Sequence, residues 1–492
     1  MNNLNGFSAT QLGKLVNAKQ ISCQEVLDLT EKKIAEVNPK INAIVYTKFD
    51  EARKAASKLQ ERIQKGENVG PLAGVPVALK DFLPSKKGWP ATHGGVKSLQ
   101  TIDDADSMFC KAAESQGAIV IGKTNAPSFG FRGLTDNYMY GPTSTPFKVG
   151  YNAGGSSGGS CAAVSSGLVK LAEVGDAGGS GRIPAAWCLT FGFKPSAGIV
   201  PSVCRPDAWT ATHPYCCGGP TAQTVLDAAT IMDKMTGFDP RDPLSVPIRP
   251  KVFSEEMYSS IRGMKIGVTY DFGVFPDPED EIVNSVAEIA QVLKNAGAQV
   301  KEAKFSVDYS LQELEQAWLI GICLDTAIDM ELWKKNGFDF RKDHYSDVPK
   351  EFFEYNDIAI NSNAMDYRKF HDIRTAILDS HVDVFNDCDV VIAPVSGCLP
   401  VKNATNGDTK GPDHIREVKV DPLIGFAYTY LENMTGYPAA SVPFGLSKEG
   451  LPIGIQVIGR RYFDEDVFAV AHAIEELHPW SQLYSLLDES LC

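Results

Sequence analysis

Apolar positions recur along this chain with two periods. Behind Ser22-x-x-Glu25, a capping box, Val26, Leu27, Ile34 and Val37 share one helical face. Asn38-Pro39 is expected to stop that helix. Residues 8–17 read as a shorter helix before it, and a Lys- and Glu-rich helix follows to about residue 65. Ile282, Val283, Val286, Ile289 and Leu293 form a second clear stripe, ended by Gly297. Val467, Phe468, Val470, Ala471 and Ile474 mark a late helix, and residues 106–116 and 221–235 are also expected to be helical. Between the stripes lie short apolar runs of strand length, at residues 77–79, 118–121, 265–268, 298–300 and 389–393. Residues 441–444 and 453–458 read as paired strands across the Lys448-Glu449-Gly450 turn. This alternation predicts an α/β class: one large domain over residues 1–492, a mixed β-sheet covered by helices on both faces. Residues 1–65 form an N-terminal helical segment within it. Residues 305–420 look less regular, hold Trp318, Trp333, Phe352, Phe353 and Tyr355, and end in a polar loop over 401–420. Irregular insertions tend to carry specificity, so this region is expected to shape the substrate pocket.

Composition narrows the function classes. The chain has 492 residues, 43% of them hydrophobic and 22% charged, with a net charge of −14. An acidic surface argues against direct nucleic-acid binding, where Lys and Arg must neutralise phosphates. No run of 18 apolar residues is present, and the first residues lack a secretory pattern, so a cytoplasmic chain without a membrane span is expected. The 11 cysteines are scattered and are expected to be reduced thiols.

Candidate chemistry concentrates in residues 154–184, GGSSGGSCAAVSSGLVKLAEVGDAGGSGRIP. Ser156 and Ser180 are both flanked by glycine, which lets backbone N–H groups point inward and a substrate come close. Acyl transfer needs that combination: a nucleophile beside donors aimed at a developing oxyanion. A flexible linker would not carry the apolar run between the two serines.

Two other motifs fail on context. Gly117-Ala118-Ile119-Val120-Ile121-Gly122-Lys123-Thr124 satisfies the phosphate-loop pattern, but its middle residues are themselves the strand, and Pro127 disfavours a helix start. Cys204, His213, Cys216 and Cys217 fit no common zinc spacing. No cofactor and no metal are expected. No G-x-S-x-G elbow or S-x-x-K sequence is present and the eight histidines are isolated, so a base for Ser180 comes either from a Ser-His-Asp triad assembled from distant residues or from a lysine. Lys80 ends an apolar strand, and burial there would lower its pKa into the useful range. The alternative is a surface pair of Lys80 with Asp81.

These blocks together resemble the amidase signature family. The resemblance begins at Gly74-Val75-Pro76-Val77-Ala78-Leu79-Lys80-Asp81 and runs through residues 117–125. It is strongest over 154–194 and returns at 389–394, 433–445 and 450–459. The stretch from Ala177 to Ala185 looks most like the branch with the 6-aminohexanoate cyclic-dimer hydrolase. The resemblance implies a Ser-cisSer-Lys triad: Ser180 as nucleophile, Ser156 as bridge and Lys80 as base. It implies an oxyanion hole of backbone N–H groups at Ala177, Gly178, Gly179 and Ser180. Asp176 and Arg182 match positions that support this loop, and Lys123 and Asn125 fall in a matched segment near the site.

The chain departs from the family pattern at Val174-Gly175-Asp176, at Ser128 and at Tyr151. Asn125, Phe131 and Tyr151 are the candidates for substrate contact. The implied activity is hydrolysis of a small or medium carboxylic amide through an acyl-enzyme. The rival is the glutaminase subunit of a tRNA-dependent amidotransferase, which uses the same triad. The expected partner is a small-molecule amide, and the number of copies is left open, a homodimer included.

Overall fold

The computed structural model describes residues 4–82, 84–205, 207–210, 212, 214–247, 252–343, 345–405 and 407–491. Eleven strands form one sheet. In chain order they are β1 (Ile44–Thr47), β2 (Pro76–Lys80), β3 (Ile119–Thr124), β4 (Leu171–Asp176), β5 (Phe191–Lys194) and β6 (Cys217–Ala222). There follow β7 (Lys265–Val268), β8 (Gln299–Glu302), β9 (Val390–Pro394), β10 (Ala439–Leu446) and β11 (Pro452–Gly459). Their spatial order is β1-β3-β2-β4-β6-β5-β10-β11-β9-β7-β8.

The sheet is mixed. β2 runs parallel to both β3 and β4, so Thr124, Lys80 and Asp176 all lie at the same sheet edge. Pockets of α/β folds gather outside such carboxyl ends. β10 and β11 form the expected antiparallel hairpin. Successive strand residues face opposite sides of a sheet. Accordingly Val390 and Ile392 enter one apolar cluster, and Val391 and Ala393 another. Ile455 and Val457 likewise oppose Ile458. Both faces are thus covered, as the α/β reading requires.

Three local expectations are corrected. The helix Cys23–Ile41 runs through Pro39 and ends at Asn42, which takes a left-handed conformation. A proline in the last turn gives up one backbone bond, and the Asn38 side chain binds the exit by accepting from Ala43 and Ile44 N–H. The expected helix over 221–235 begins only at Val225, after Thr224 caps it; residues 221–222 belong to β6. Residues 305–420 are largely helical, with helices Leu311–Lys335, Lys350–Asn361 and Ala364–Phe385. The first of these has no clean stripe because it is buried on several sides, Glu315, Trp318 and Gly321 included.

Asp227 ties the N-terminal helix Ala9–Asn17 to the body of the protein. Its carboxylate accepts from Ala9 N–H (2.7 Å), Thr10 N–H (2.9 Å) and Thr10 Oγ1 (2.9 Å), all buried. Asp227→Ala strands these donors, a local cost of about 2–3 kcal/mol. Hydrogen exchange of the amides in residues 9–17 should then speed roughly 30–100-fold. Unchanged protection would refute the anchor.

Candidate active site

Lys80 is the last residue of β2, which is flanked by β3 and β4, and only 5% of it is exposed. The strand residues before it, Pro76–Leu79, are all apolar and buried, so the ammonium is drawn inward with them. Lys80 Nζ lies 2.6 Å from Ser156 Oγ. Burial pulls Lys80 down to about 8, against the opposing pull of Cys216, Asp176 and Glu173. Burial also pushes Glu173, which accepts the Lys80 backbone N–H at 3.3 Å, up to about 7. Asp81 does not pair with Lys80. It accepts the Thr92 N–H at 3.1 Å and stands 3.8 Å from Lys123. Lys123 itself is fully buried on Asp103, 2.6 Å away, and the surrounding residues Ile119–Thr124 are strand.

Ser156 follows a cis Gly155–Ser156 peptide bond and is buried. The glycines before it make room: a Cβ on Gly155 would come within 2.6 Å of the Leu134 backbone, and one on Gly154 within 2.9 Å of Pro184. Ser157 N–H donates to the Ser180 carbonyl at 3.1 Å, which joins the two serine loops backbone to backbone. Ser180 is half-buried, in the turn between β4 and the helix Arg182–Cys188. A base that is neutral in useful fraction near pH 8, one short hydrogen bond from a serine, is equipped to move a proton.

The turn from Ala177 to Gly181 is held rigid from below. Asp176 accepts from Gly179 N–H (2.9 Å) and Gly181 N–H (3.2 Å). Arg182 grips the same carboxylate with Nε and Nη2, both at 2.9 Å. Its other bonds go to Glu432 (3.1 Å), Gln456 (2.6 Å) and Asn433 (2.7 Å). Burial would raise the Asp176 carboxyl, but Arg182, with Lys194 and Asn433, brings it down to about 2. Asp176 therefore stays an anion across the working range of most enzymes.

Of the four N–H groups named for an oxyanion, that of Gly179 is turned to Asp176 instead. Those of Ala177, Gly178 and Ser180 have no protein partner among the described residues.

The remaining candidates separate. Asn125 is fully buried, and its amide is satisfied by Gly141, Thr143 and Asn137. It packs under the serine loop, where a Cβ on Gly159 would meet its backbone N at 2.3 Å, so its side chain has no face toward a substrate. Tyr151 stands between two lysines. Its ring lies under Lys148 Nζ (4.6 Å) and near Lys402 (5.9 Å). Phe131 is half-buried and meets Phe352 edge-on, with ring centroids 5.2 Å apart. Phe352 also stacks on Phe129 at 5.0 Å. Phe82, half-buried, has its ring 5.4 Å from Lys80 Nζ and abuts Gly130. Phe82 is the ring beside the lysine, Phe131 follows the Gly130 that Phe82 abuts, and Phe129 is enclosed by Trp333, Phe340 and Phe352.

Sequence reasoning missed Glu432, Asn433 and Gln456 as partners of Arg182. The signal was present: a charge and two amides inside otherwise apolar segments, where buried polar groups require partners. Of the cysteine–histidine set, His213 lies outside the described residues. Among the described residues no group of three or more His, Cys, Asp or Glu is placed to hold a metal ion.

Arg182→Leu leaves Asp176 and Glu432 buried without their cation. It should cost about 3–5 kcal/mol, read as a lower urea midpoint. A wild-type midpoint would show that the buried pair is not what holds the turn.

Comparison with known proteins agrees with this architecture. A family profile described as Amidase matches residues 25–468. An acylamidase of Rhodococcus erythropolis is 30% identical over 483 residues, covering 97% of each chain. A glutamyl-tRNA(Gln) amidotransferase subunit of Agathobacter rectalis is 29% identical over 495 residues, covering 96% of this chain and 94% of the other. Among solved structures, a bacterial aryl acylamidase superposes with a TM-score of 0.95 at 41% identity, covering 98% of this chain and 99% of that one. The 6-aminohexanoate cyclic dimer hydrolase in complex with substrate gives 0.84 at 27% identity, covering 97% and 98%. By its sequence over nearly the whole length, and by a fold that ends its central strands at Lys80 and Asp176, the chain belongs to the amidase signature family of amide hydrolases.

Proposed function

We propose that this protein hydrolyses N-acyl aryl amines, with Ser180 as nucleophile, Ser156 as proton relay and Lys80 as base. The observation that carries the reading is the 2.6 Å contact between a buried Lys80 Nζ and Ser156 Oγ, tied by backbone to the Ser180 turn. Neutral Lys80 takes the Ser156 proton as Ser156 takes that of Ser180. Ser180 Oγ attacks the amide carbonyl, whose oxygen gathers negative charge and is met by the N–H groups of Gly178 and Ser180. The proton returns through Ser156 to the nitrogen, the amine leaves, and the acyl group stays on Ser180. Water, deprotonated along the same path, then attacks the acyl ester and frees the acid.

The aryl class is supported by two things. The partly exposed Phe82 stands beside the lysine, with Phe131 next to the Gly130 that it abuts, and a flat leaving group would pack there. The chain is also similar to an aryl acylamidase over 98% of its length. The helices of residues 305–420 meet Phe131 through Phe352. A glutaminase subunit working for a partner is the second reading, and its small polar substrate would leave the rings unused.

Two measurements test this. Purified alone, the protein should hydrolyse a nitroacetanilide with kcat/KM about 100-fold or more above that for glutamine. Preference for glutamine would favour the second reading. Because the working form of Lys80 is the neutral one, kcat/KM should rise with pH through about 8 and level off above it. At pH 7 only roughly a tenth of the sites would be competent. Lys80→Met should lower kcat about 10²–10⁴-fold and flatten that rise. An intact profile in the variant would remove Lys80 from the role.

A further inference from the structure

We propose that Trp318 is a positioning residue for the oxyanion-binding turn, acting through a backbone carbonyl without touching the substrate. The proposal rests on the reading of Ser180 as nucleophile. In a planar trans peptide the C=O and the next N–H point in opposite directions, so whatever holds the carbonyl also aims the N–H. The Ala177 carbonyl accepts from Trp318 Nε1–H at 3.2 Å. The Gly178 carbonyl accepts from Thr429 Oγ1 at 2.7 Å, and the N–H of that peptide, on Gly179, goes to Asp176 at 2.9 Å. The Gly179 carbonyl accepts from Ile183 N–H at 2.7 Å. Three successive peptide planes are thus pinned from the carbonyl side. The first leaves Gly178 N–H, and the third Ser180 N–H, pointing away from its clamp and without a protein partner among the described residues.

Trp318 differs from the other clamps in its origin. Thr429 lies just before the Leu431–Thr435 helix, whose Glu432 and Asn433 hold Arg182, and Ile183 belongs to the helix after the turn. Trp318 comes from the long helix Leu311–Lys335 within the 305–420 region. Its indole is 5% exposed and can only donate. The ring lies so close to Gly178 that a Cβ there would be 2.6 Å from it. Gly178 and Gly179 follow the clamped carbonyl, and Gly179 already sits at φ 118°. Glycines allow a peptide plane to rotate at little cost, so the Ala177–Gly178 plane needs the indole N–H to keep its own N–H turned to the substrate. The helix whose Trp333 stacks on Phe129 therefore also sets one oxyanion donor.

The test separates the N–H from the ring. Trp318→Phe keeps an aromatic ring and removes the donor. Incorporation of β-(3-benzothienyl)alanine at 318 keeps the full bicyclic shape and also removes the donor. Phosphonylation of Ser180 by a fluorophosphonate needs the nucleophile, its base and the oxyanion donors, but no amide recognition. In both variants labelling and kcat for the anilide should fall about 10–100-fold, with KM changed less than about 3-fold. Melting of the benzothienylalanine protein should fall by no more than a few degrees, the cost of one unpaired carbonyl. Labelling at the wild-type rate in that protein overturns the proposal, whatever Trp318→Phe does. A wild-type protein that is not labelled at Ser180 overturns the reading beneath it as well. A labelled wild type with unaffected variants overturns the role of Trp318 alone.

Discussion

One buried guanidinium holds three separated parts of this chain together. Arg182 joins the end of β4 to the segment Leu431–Thr435 and to Gln456 of β11, and every bond it makes is buried. A buried cation is tolerated only when its neighbours replace the lost water, and here the fork of Arg182 finds acceptors on Asp176, Glu432, Asn433 and Gln456. The arrangement has a local consequence. With its charge balanced, Asp176 spends its remaining acceptor capacity on Gly179 and Gly181, and so fixes the turn that carries Ser180. Precision at the serine is thus set by an ion pair beneath it, and the serine itself stays half-buried and accessible.

The lysine obeys the opposite rule. Arg182 is buried with its charge satisfied, whereas Lys80 is buried with an apolar strand around it and a serine oxygen in front. Burial disfavours its ammonium and brings it to about 8. The parallel pairing of β2 with β3 and β4 is what puts this weakened ammonium at the same edge as the Asp176–Arg182 turn. Fold and proposed chemistry meet at that edge: one strand ends in the proposed base, the next in Asp176, which anchors the Ser180 turn.

Much of this was legible in the sequence, for identifiable reasons. The capping box at Ser22, the stripe ending at Gly297 and the β10–β11 hairpin obey local rules and could be read directly. β6 could not, because Gly218, Gly219 and Pro220 look like a turn; it is a strand only because β4 and β5 flank it. The helix Leu311–Lys335 escaped because burial on several sides erases its stripe, whereas Ala364–Phe385 buries one clear face, Phe370, Ile373, Ile377 and Val384, that was there to be read. In the site, the two serine loops announced themselves by their glycines. Which lysine met them was indicated by family resemblance, since Lys80 and Ser156 are 76 residues apart. Asn125 shows the limit of such transfer: a matched position near the site is here a satisfied strut. The roles of Gln456 and Trp318 depend on contacts across the fold that no local pattern encodes.

The central claim is that the acyl group passes through Ser180, and a trapped intermediate tests it most directly. An activated aryl ester mixed with the enzyme and quenched in acid within milliseconds, then digested and mapped by mass, should show the acyl group on the peptide that contains Ser180. An adduct on any other residue, or turnover with no adduct even when release of the acid is made slow with a hindered acyl group, would contradict the account.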